Sequence, residues 1–241
     1  YMDGLTNLYS HRRFHELLSE EIAAAKANNT KVSVVIFDIN DMGIINRDYG
    51  HSKGDEVIKV MANKINENIK KQDFAARYGG DKISVVLRNM NAEEAKYMAE
   101  YLTYSLSCCL VDDIGPLNRV AVGIATYPDD SIDKEKLLVL AEQAVLVSKT
   151  KSYENGRAII VSTQDFDFWD DSALNSFAKV MAKRHSQIGI NFEEALVEQF
   201  QNENIVSQNH LIEVVTSLAS AIDAKDEYTK DHSSSVSRYS V

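Results

Sequence analysis

Three groups of residues have types and spacings suited to metal and phosphate chemistry. The first is Asp38-Ile39-Asn40 at the end of an apolar run, followed by Asn46, Gly50-His51 and Gly54-Asp55. The second is Arg77-Tyr78-Gly79-Gly80-Asp81, and the third is Lys149 late in an apolar-periodic stretch. Carboxylates at a strand end and at a hairpin turn converge when their strands are neighbours. Two hard oxygen ligands of that kind suit Mg²⁺, which takes few protein ligands and completes its shell with water and phosphate. Paired glycines remove side chains where a phosphate or base must approach the backbone. An Asn and an Asp together can read guanine, the amide serving O6 and N7 and the carboxylate accepting from N1–H and N2–H. Taken singly, each residue has an ordinary role: a strand-end Asp forms turns, and a helix-end Lys is a solvated charge.

The elements that must position these residues follow from hydrophobic periodicity. Residues 11–28 read as a helix, with Phe14, Leu17, Leu18, Ile22 and Ala25 on one face, broken by Asn28-Asn29-Thr30. Val32 to Phe37 is a buried strand, and 55–69 is a helix with Val57, Ile58, Met61, Ile65 and Ile69 in a stripe. Segments 74–78 and 83–87 flank Gly79-Gly80-Asp81-Lys82 as a β-hairpin. A helix over 92–110, a strand over 119–127, a helix over 134–149 with Leu137, Leu138, Ala141, Val145 and Leu146, and a strand over 157–161 complete the pattern. Strands alternate with helices around a central hairpin. The expected class is therefore α/β with a mixed sheet (α+β), not a doubly wound parallel sheet.

Composition sets the outer limits. The chain has 241 residues, with 44% apolar and 26% charged, as in ordinary globular proteins. Gly (10) and Pro (2) are scarce, which favours long helices over a many-turned sandwich. The formal net charge of −10 argues against a nucleic-acid binder. No apolar run approaches the roughly 18 residues of a membrane span, so no membrane contact is expected of this chain. The adjacent Cys108 and Cys109 cannot staple distant parts of the fold; a buried place in helix packing and a reduced, cytoplasmic setting are expected. The opening YMDGLTNLYSHRRF lacks signal-peptide order and begins inside a motif. The expectation is a piece of a longer chain, with a sensor or membrane anchor possible upstream.

At this point the sequence resembles the GGDEF family of diguanylate cyclases and their inactive relatives. Asp3-Gly4-Leu5-Thr6-Asn7-Leu8-Tyr9 is similar to that family's opening D-x-L-T-G-L-Y, and FDINDMGIINRDYGHSKGDEV to its F-D-I-D-x-F-K-x-I-N-D-x-x-G-H-x-x-G-D. ARYGGDKI stands where the family has A-R-Y-G-G-D-E-F, and AEQAVLVSK resembles A-D-x-A-L-Y-x-A-K. The resemblance covers residues 3–161 and implies a fold related to nucleotidyl cyclases and polymerase palms. It further implies two domains meeting face to face, each with one GTP, to make cyclic di-GMP with Mg²⁺ (or Mn²⁺). Carried over, Asp38, the Ile39 carbonyl and Asp81 would bind metal. Asn46 and Asp55 would read guanine, Gly79 and Gly80 would admit the nucleotide, and Lys149 would hold phosphate. Asp81 and Lys82 fall at the catalytic position.

The departures bear on turnover. The signature Glu is Lys82 and the Phe is Ile83; a family Lys is Gly43, and the second Asp of the first run is Asn40. Replacing a carboxylate by an ammonium shifts the local charge by two units, and unit charges about 4 Å apart interact by roughly 4 kcal/mol at an effective dielectric near 20. Positioned metal and charge drive phosphoryl-type transfer, so turnover should suffer more than binding. Lys82 is also placed to substitute for the missing lysine on the triphosphate. The family's inhibitory R-x-x-D is Lys70-Lys71-Gln72-Asp73 here, which reads as a solvated helix end, since Lys lacks the planar fork of Arg. The family's Gly-Arg after the last Lys corresponds to Gly156-Arg157 after four extra residues.

The pattern changes after residue 162, where TQDFDFWDD leads into helical sequence without strand signals. LIEVVTSLASAIDAKDEYTKDHSSSVSRYSV resembles the opening helices of an HD-GYP phosphodiesterase, with His232 at that family's first metal-binding His; the match ends before any His-Asp pair. The expected organisation is a GGDEF-like domain over 1–162, a helical linker over 163–210 and the start of an HD-GYP domain over 211–241. A near-heptad stripe at Leu211, Val215, Leu218 and Ile222 suggests a parallel homodimer helix. The leading expectation is a degenerate domain that binds GTP and regulates the downstream phosphodiesterase in the same chain. The alternatives are a weak but active diguanylate cyclase, and a relay domain that dimerises without binding nucleotide.

Overall fold

The computed structural model describes residues 1–155 and 158–165, except the side chains of 153–155. These lie in the first of the two units into which the chain divides, Tyr1–Val180 and Met181–Val241. Gly156-Arg157, the linker over 163–210 beyond residue 165, the HD-GYP-like segment with His232 and the proposed dimer helix lie outside the described residues.

A five-stranded mixed sheet of order β2-β3-β1-β6-β7 carries the fold. Its strands are β1 Val32–Ile39, β2 Phe74–Gly79, β3 Lys82–Arg88, β6 Val120–Tyr127 and β7 Ile160–Ser162. β1 runs antiparallel to both β3 and β6, and only β6 and β7 pair in parallel. The mixed sheet matches expectation. Two two-residue strands, β4 Leu110–Val111 and β5 Gly115–Pro116, form a small separate hairpin that periodicity does not reveal.

Both faces of the sheet are covered, and β1 shows how. Every residue of β1 is buried. Val35, Phe37 and Ile39 join one core with Val57, Met61, Ile65, Leu102 and Leu106. Val32, Val34 and Ile36 join the other, with Phe14, Leu18, Leu137, Ala141 and Val145. This is the period-2 alternation of a central strand. Helices α3 His51–Asn68 and α4 Ala92–Ser107 cover the first face, and α1 His11–Asn28 and α5 Lys134–Asn155 the second. Caps set the helix ends. Ser10 accepts from the Arg13 N–H at the start of α1, and Asn91 and Glu94 form a capping box on α4.

Several boundaries differ from the sequence reading. The helix expected from residue 55 begins at His51, preceded by a short helix α2 Met42–Tyr49 that joins it through Gly50, at φ 86°. A left-handed φ there suits glycine. Helix α4 stops at Ser107 rather than 110, so Cys108 is exposed and Cys109 half-buried. The pair caps a helix end and is not buried in packing as expected. Helix α5 continues to Asn155, which leaves Lys149 within the helix and not at its end. Asp73, expected in a solvated helix end, is buried and accepts a 2.9 Å hydrogen bond from the Arg88 backbone N–H.

Candidate functional site

The site is organised by the register of β1 against β3. Asp38 lies directly opposite Lys82, and the Ile39 N–H donates to the Asp81 carbonyl at 3.5 Å. The hairpin loop is only Gly80-Asp81, closed by the Gly79–Lys82 pair, with a bulge between Arg77 and Gly79. Gly80 has φ 47°, a conformation that costs a side-chain-bearing residue about 1 kcal/mol or more. The convergence expected for Asp38 and Asp81 is thus produced by strand pairing.

Alternation along β1 sends Asp38 to the same face as Val34 and Ile36, where α5 packs. There Lys149 Nζ lies 2.6 Å from Asp38 Oδ1, and the Asp38 side chain is only 2% exposed. The approach of α5 depends on small residues of β6. Ala121, Gly123 and Ala125 face α5, and a Cβ on Gly123 would lie 2.3 Å from the Ala141 carbonyl and 2.4 Å from the Val145 nitrogen. Ser148, one residue before Lys149, anchors the helix by accepting from the Val122 N–H at 2.9 Å.

The electrostatics couple the two carboxylates. Burial, then the neighbouring Asp38 charge, pushes the Asp81 carboxyl up to about 6, while Lys149 and Lys82 act in the opposite sense. Among the described residues no group of three or more His, Cys, Asp or Glu side chains gathers at metal distance. The expected donors, Asp38, the Ile39 carbonyl and Asp81, amount to two carboxylates and one backbone oxygen. That set fits Mg²⁺, which needs only one or two carboxylates plus phosphate and water.

Asn46 and Asp55 sit on different helices, α2 and α3, joined by the sharp turn at Gly50. The buried Asn46 Oδ1 has no hydrogen-bond partner among the described residues. It lies over Gly54, where a Cβ would come within 2.0 Å of it. A buried acceptor without a donor is costly, and a ligand N–H would satisfy it. Asp55 is exposed to solvent. The buried Asn40 Oδ1, at the end of β1, is likewise without a partner.

Arg77, in the signature motif, positions the hairpin turn. Arg77 donates from Nε and Nη2 to the Gly80 carbonyl at 3.0 and 2.9 Å, and pairs with Asp3 at 3.4 Å. Burial disfavours ionised Asp3. Hydrogen bonds from Thr6 and Leu5 and the charge of Arg77 outweigh that effect and hold its carboxyl below the usual value. The opening motif thus braces the hairpin turn through one arginine. The occurrence of Asp3 and Arg77 in two separate motifs was the available signal.

Residues 1–155 match the family model described as diguanylate cyclase, GGDEF domain. Diguanylate cyclase DosC of Escherichia coli (strain K12) is 29% identical over 155 residues, 62% of this chain and 33% of that protein. Diguanylate cyclase DgcP of Pseudomonas aeruginosa is 30% identical over 149 residues, 61% of this chain and 22% of that protein. The match to these curated relatives therefore spans a third of their length or less. Among solved structures, the GGDEF domain of DgcB from Caulobacter crescentus, in complex with c-di-GMP, is similar with a TM-score of 0.60 at 26% identity. The similarity covers 68% of this chain and 95% of that one. The GGDEF domain of PA1120 from Pseudomonas aeruginosa also gives 0.60, at 25% identity over 65% of this chain and 97% of that one. With this mixed sheet, the Gly79-Gly80-Asp81 hairpin beside Asp38 and a family match over residues 1–155, the chain belongs to the GGDEF diguanylate cyclase domain family.

Proposed function

We propose that this is a degenerate GGDEF domain of cyclic di-GMP signalling, which binds GTP with Mg²⁺ (or Mn²⁺) and turns it over little or not at all. The observation that carries the reading is the pair of lysines at Asp38: Lys82 opposite it across β1–β3, and Lys149 at 2.6 Å. Asp38, the Ile39 carbonyl and Asp81 would hold the ion. When bound, the ion neutralises charge on the triphosphate. Lys149 holds Asp38 in the absence of an ion and is positioned to turn to phosphate when an ion takes its place. Lys82 supplies a cation where the family has a carboxylate. It strengthens attraction for the triphosphate but opposes a metal arrangement that depends on the missing Glu.

Asn46 and Asp55 read the guanine. Asn46 Nδ2 would donate to O6 and N7, and Asp55 would accept from N1–H and N2–H; the buried Asn46 Oδ1, without a partner among the described residues, supports a polar ligand beside this amide. Adenine lacks the N2 amine and has a donor where guanine has O6, so an Asn–Asp pair matched to guanine disfavours it. In the longer protein the domain regulates a downstream HD-GYP phosphodiesterase, and the near-heptad stripe at Leu211, Val215, Leu218 and Ile222 joins two copies.

Equilibrium titration of the purified chain with GTP and ATP, with Mg²⁺ present, tests binding; chromatography of the same mixtures tests product. GTP is expected to bind more tightly, Asp55→Ala to erase the preference, and cyclic di-GMP to be absent or scarce. Robust Mg²⁺-dependent synthesis would replace this reading with an active cyclase, which the intact Asp38–Asp81 pair favours. Equal curves for GTP and ATP would leave only a relay domain.

A further inference from the structure

On the α1 face of the molecule, His11 and His15 stand one helical turn apart, with their Nε2 atoms 3.2 Å from each other. The ring centroids are 4.6 Å apart and the planes are inclined by 56°. His11 is exposed and His15 half-buried. With both rings neutral, one N–H can donate to the other ring's lone pair. The same spacing has a second chemical meaning. Two nitrogens bound to one tetrahedral ion at about 2.0–2.1 Å lie roughly 3.3–3.4 Å apart. The observed separation is within about 0.2 Å of that value, the usual tolerance for a metal site.

We propose that His11 and His15 form a binding site for a late first-row divalent ion, Zn²⁺, Ni²⁺ or Cu²⁺, separate from the carboxylate site at Asp38 and Asp81. Imidazole nitrogens select these ions over Mg²⁺ and Ca²⁺, which require oxygen ligands. Histidines at i and i+4 on a helix share one face, the spacing used by helical zinc sites. The helix holds the pair in position: Phe14, between them in sequence, is fully buried, and Ser10 caps the first turn. Burial, followed by the charges of His11 and Lys134, holds the His15 imidazole below its usual value, with Glu135 and Glu142 acting weakly in the other direction. Two protein ligands leave the remaining positions to water, so the site is open and of moderate affinity.

The site adjoins the signature hairpin. The Tyr78 ring lies 5.3 Å from His11 and 6.3 Å from His15, centroid to centroid, and its hydroxyl donates to Glu142 on α5 at 2.6 Å. Tyr78 immediately precedes Gly79, so an ion held by the two imidazoles would lie beside the aromatic ring at the foot of the Gly79-Gly80-Asp81 turn.

The test is calorimetric titration of the untagged full chain with Zn²⁺, Ni²⁺, Cu²⁺ and Mg²⁺, repeated on His11→Gln, His15→Gln and the double variant. One ion per chain is expected at this pair, with Cu²⁺ tightest by the Irving–Williams order and Mg²⁺ unaffected by the substitutions. Either single variant should weaken binding by about 100-fold, because the chelate is lost. Both side chains lie on the helix surface, so circular dichroism should show the variants folded. Absence of Zn²⁺, Ni²⁺ and Cu²⁺ binding, or binding unchanged in the double variant, overturns the proposal. The four other histidines and the Cys108-Cys109 pair are intact in that variant, so residual binding there is assigned to them.

Discussion

Replacing Lys149 by Met probes the candidate site without requiring catalysis. The substitution keeps the length of the side chain on α5 but removes the charge 2.6 Å from Asp38 Oδ1. Breaking a fully buried ion pair from one side costs about 3–5 kcal/mol, because the remaining charge is left uncompensated. Here Asp38 is 2% exposed, but Lys149 is 28% exposed and partly screened. The expected loss is therefore smaller, about 2–3 kcal/mol. In a domain of this size each kcal/mol moves the midpoint by about 2–4 °C, so Tm should fall by roughly 4–12 °C. Adding Mg²⁺ should raise the Tm of the variant more than that of the wild type, since an ion at Asp38 and Asp81 supplies the charge that Lys149 no longer does. Asp38→Asn combined with Lys149→Met completes a cycle, and the double variant should be more stable than the sum of the single losses by at least about 1 kcal/mol. Thermal and urea unfolding, each with EDTA or MgCl₂, measure all of this. A Lys149→Met variant within about 0.5 kcal/mol of wild type, or an additive cycle, would refute the coupling.

Asp81→Asn should change stability in a pH-dependent way. The Asp81 pKa is raised to about 6 in the fold, so its protonated form favours the native state; that contribution is complete below the unfolded value and lost as pH rises through 6. In metal-free buffer the variant should therefore match wild type near pH 4 and exceed it at pH 8 by on the order of 2 kcal/mol, read from urea unfolding; a difference that does not vary with pH contradicts the assignment. Gly54→Ala places a Cβ against the Asn46 amide, a movable side chain, so stability should change by less than about 1 kcal/mol. GTP affinity should nevertheless fall by about tenfold or more in calorimetry, and unchanged affinity would remove Asn46 from the base site. Gly123→Ala meets helix backbone instead and should cost at least about 2 kcal/mol in urea unfolding, with α5 displaced from the sheet; a fully stable variant would show that the close approach of α5 is not required.

Much of the fold was legible in local sequence. The β-branched run from Val32 and the alternation of Val120, Val122 and Ile124 with small residues mark the central strands, and the apolar stripes of α1, α3 and α5 follow helical spacing. Periodicity reports which face of an element is buried, and long regular elements repeat that signal enough to be read. Helix α2 has only eight residues and buries only Met42, so it never completes a pattern. The two-residue strands β4 and β5 are shorter than one period of alternation plus its confirmation. The motifs likewise named Asp38, Asp81, Asn46, Asp55 and Lys149 as candidates, but not their relations. That Lys82 faces Asp38 is a consequence of β1–β3 register, and register depends on which strands pair. That Lys149 reaches Asp38 depends on α5 lying close over Ala121, Gly123 and Ala125, a contact between segments separated along the chain. Asp73 and Cys108 exchanged their expected environments for the same reason. Their burial is set by where β3 and the end of α4 come to rest, and no local pattern encodes that. Sequence named the candidate residues for the chemistry and determined which faces turn inward; tertiary packing decided which charges meet, because Coulomb and hydrogen-bond energies depend on distances between elements that only the folded sheet brings together.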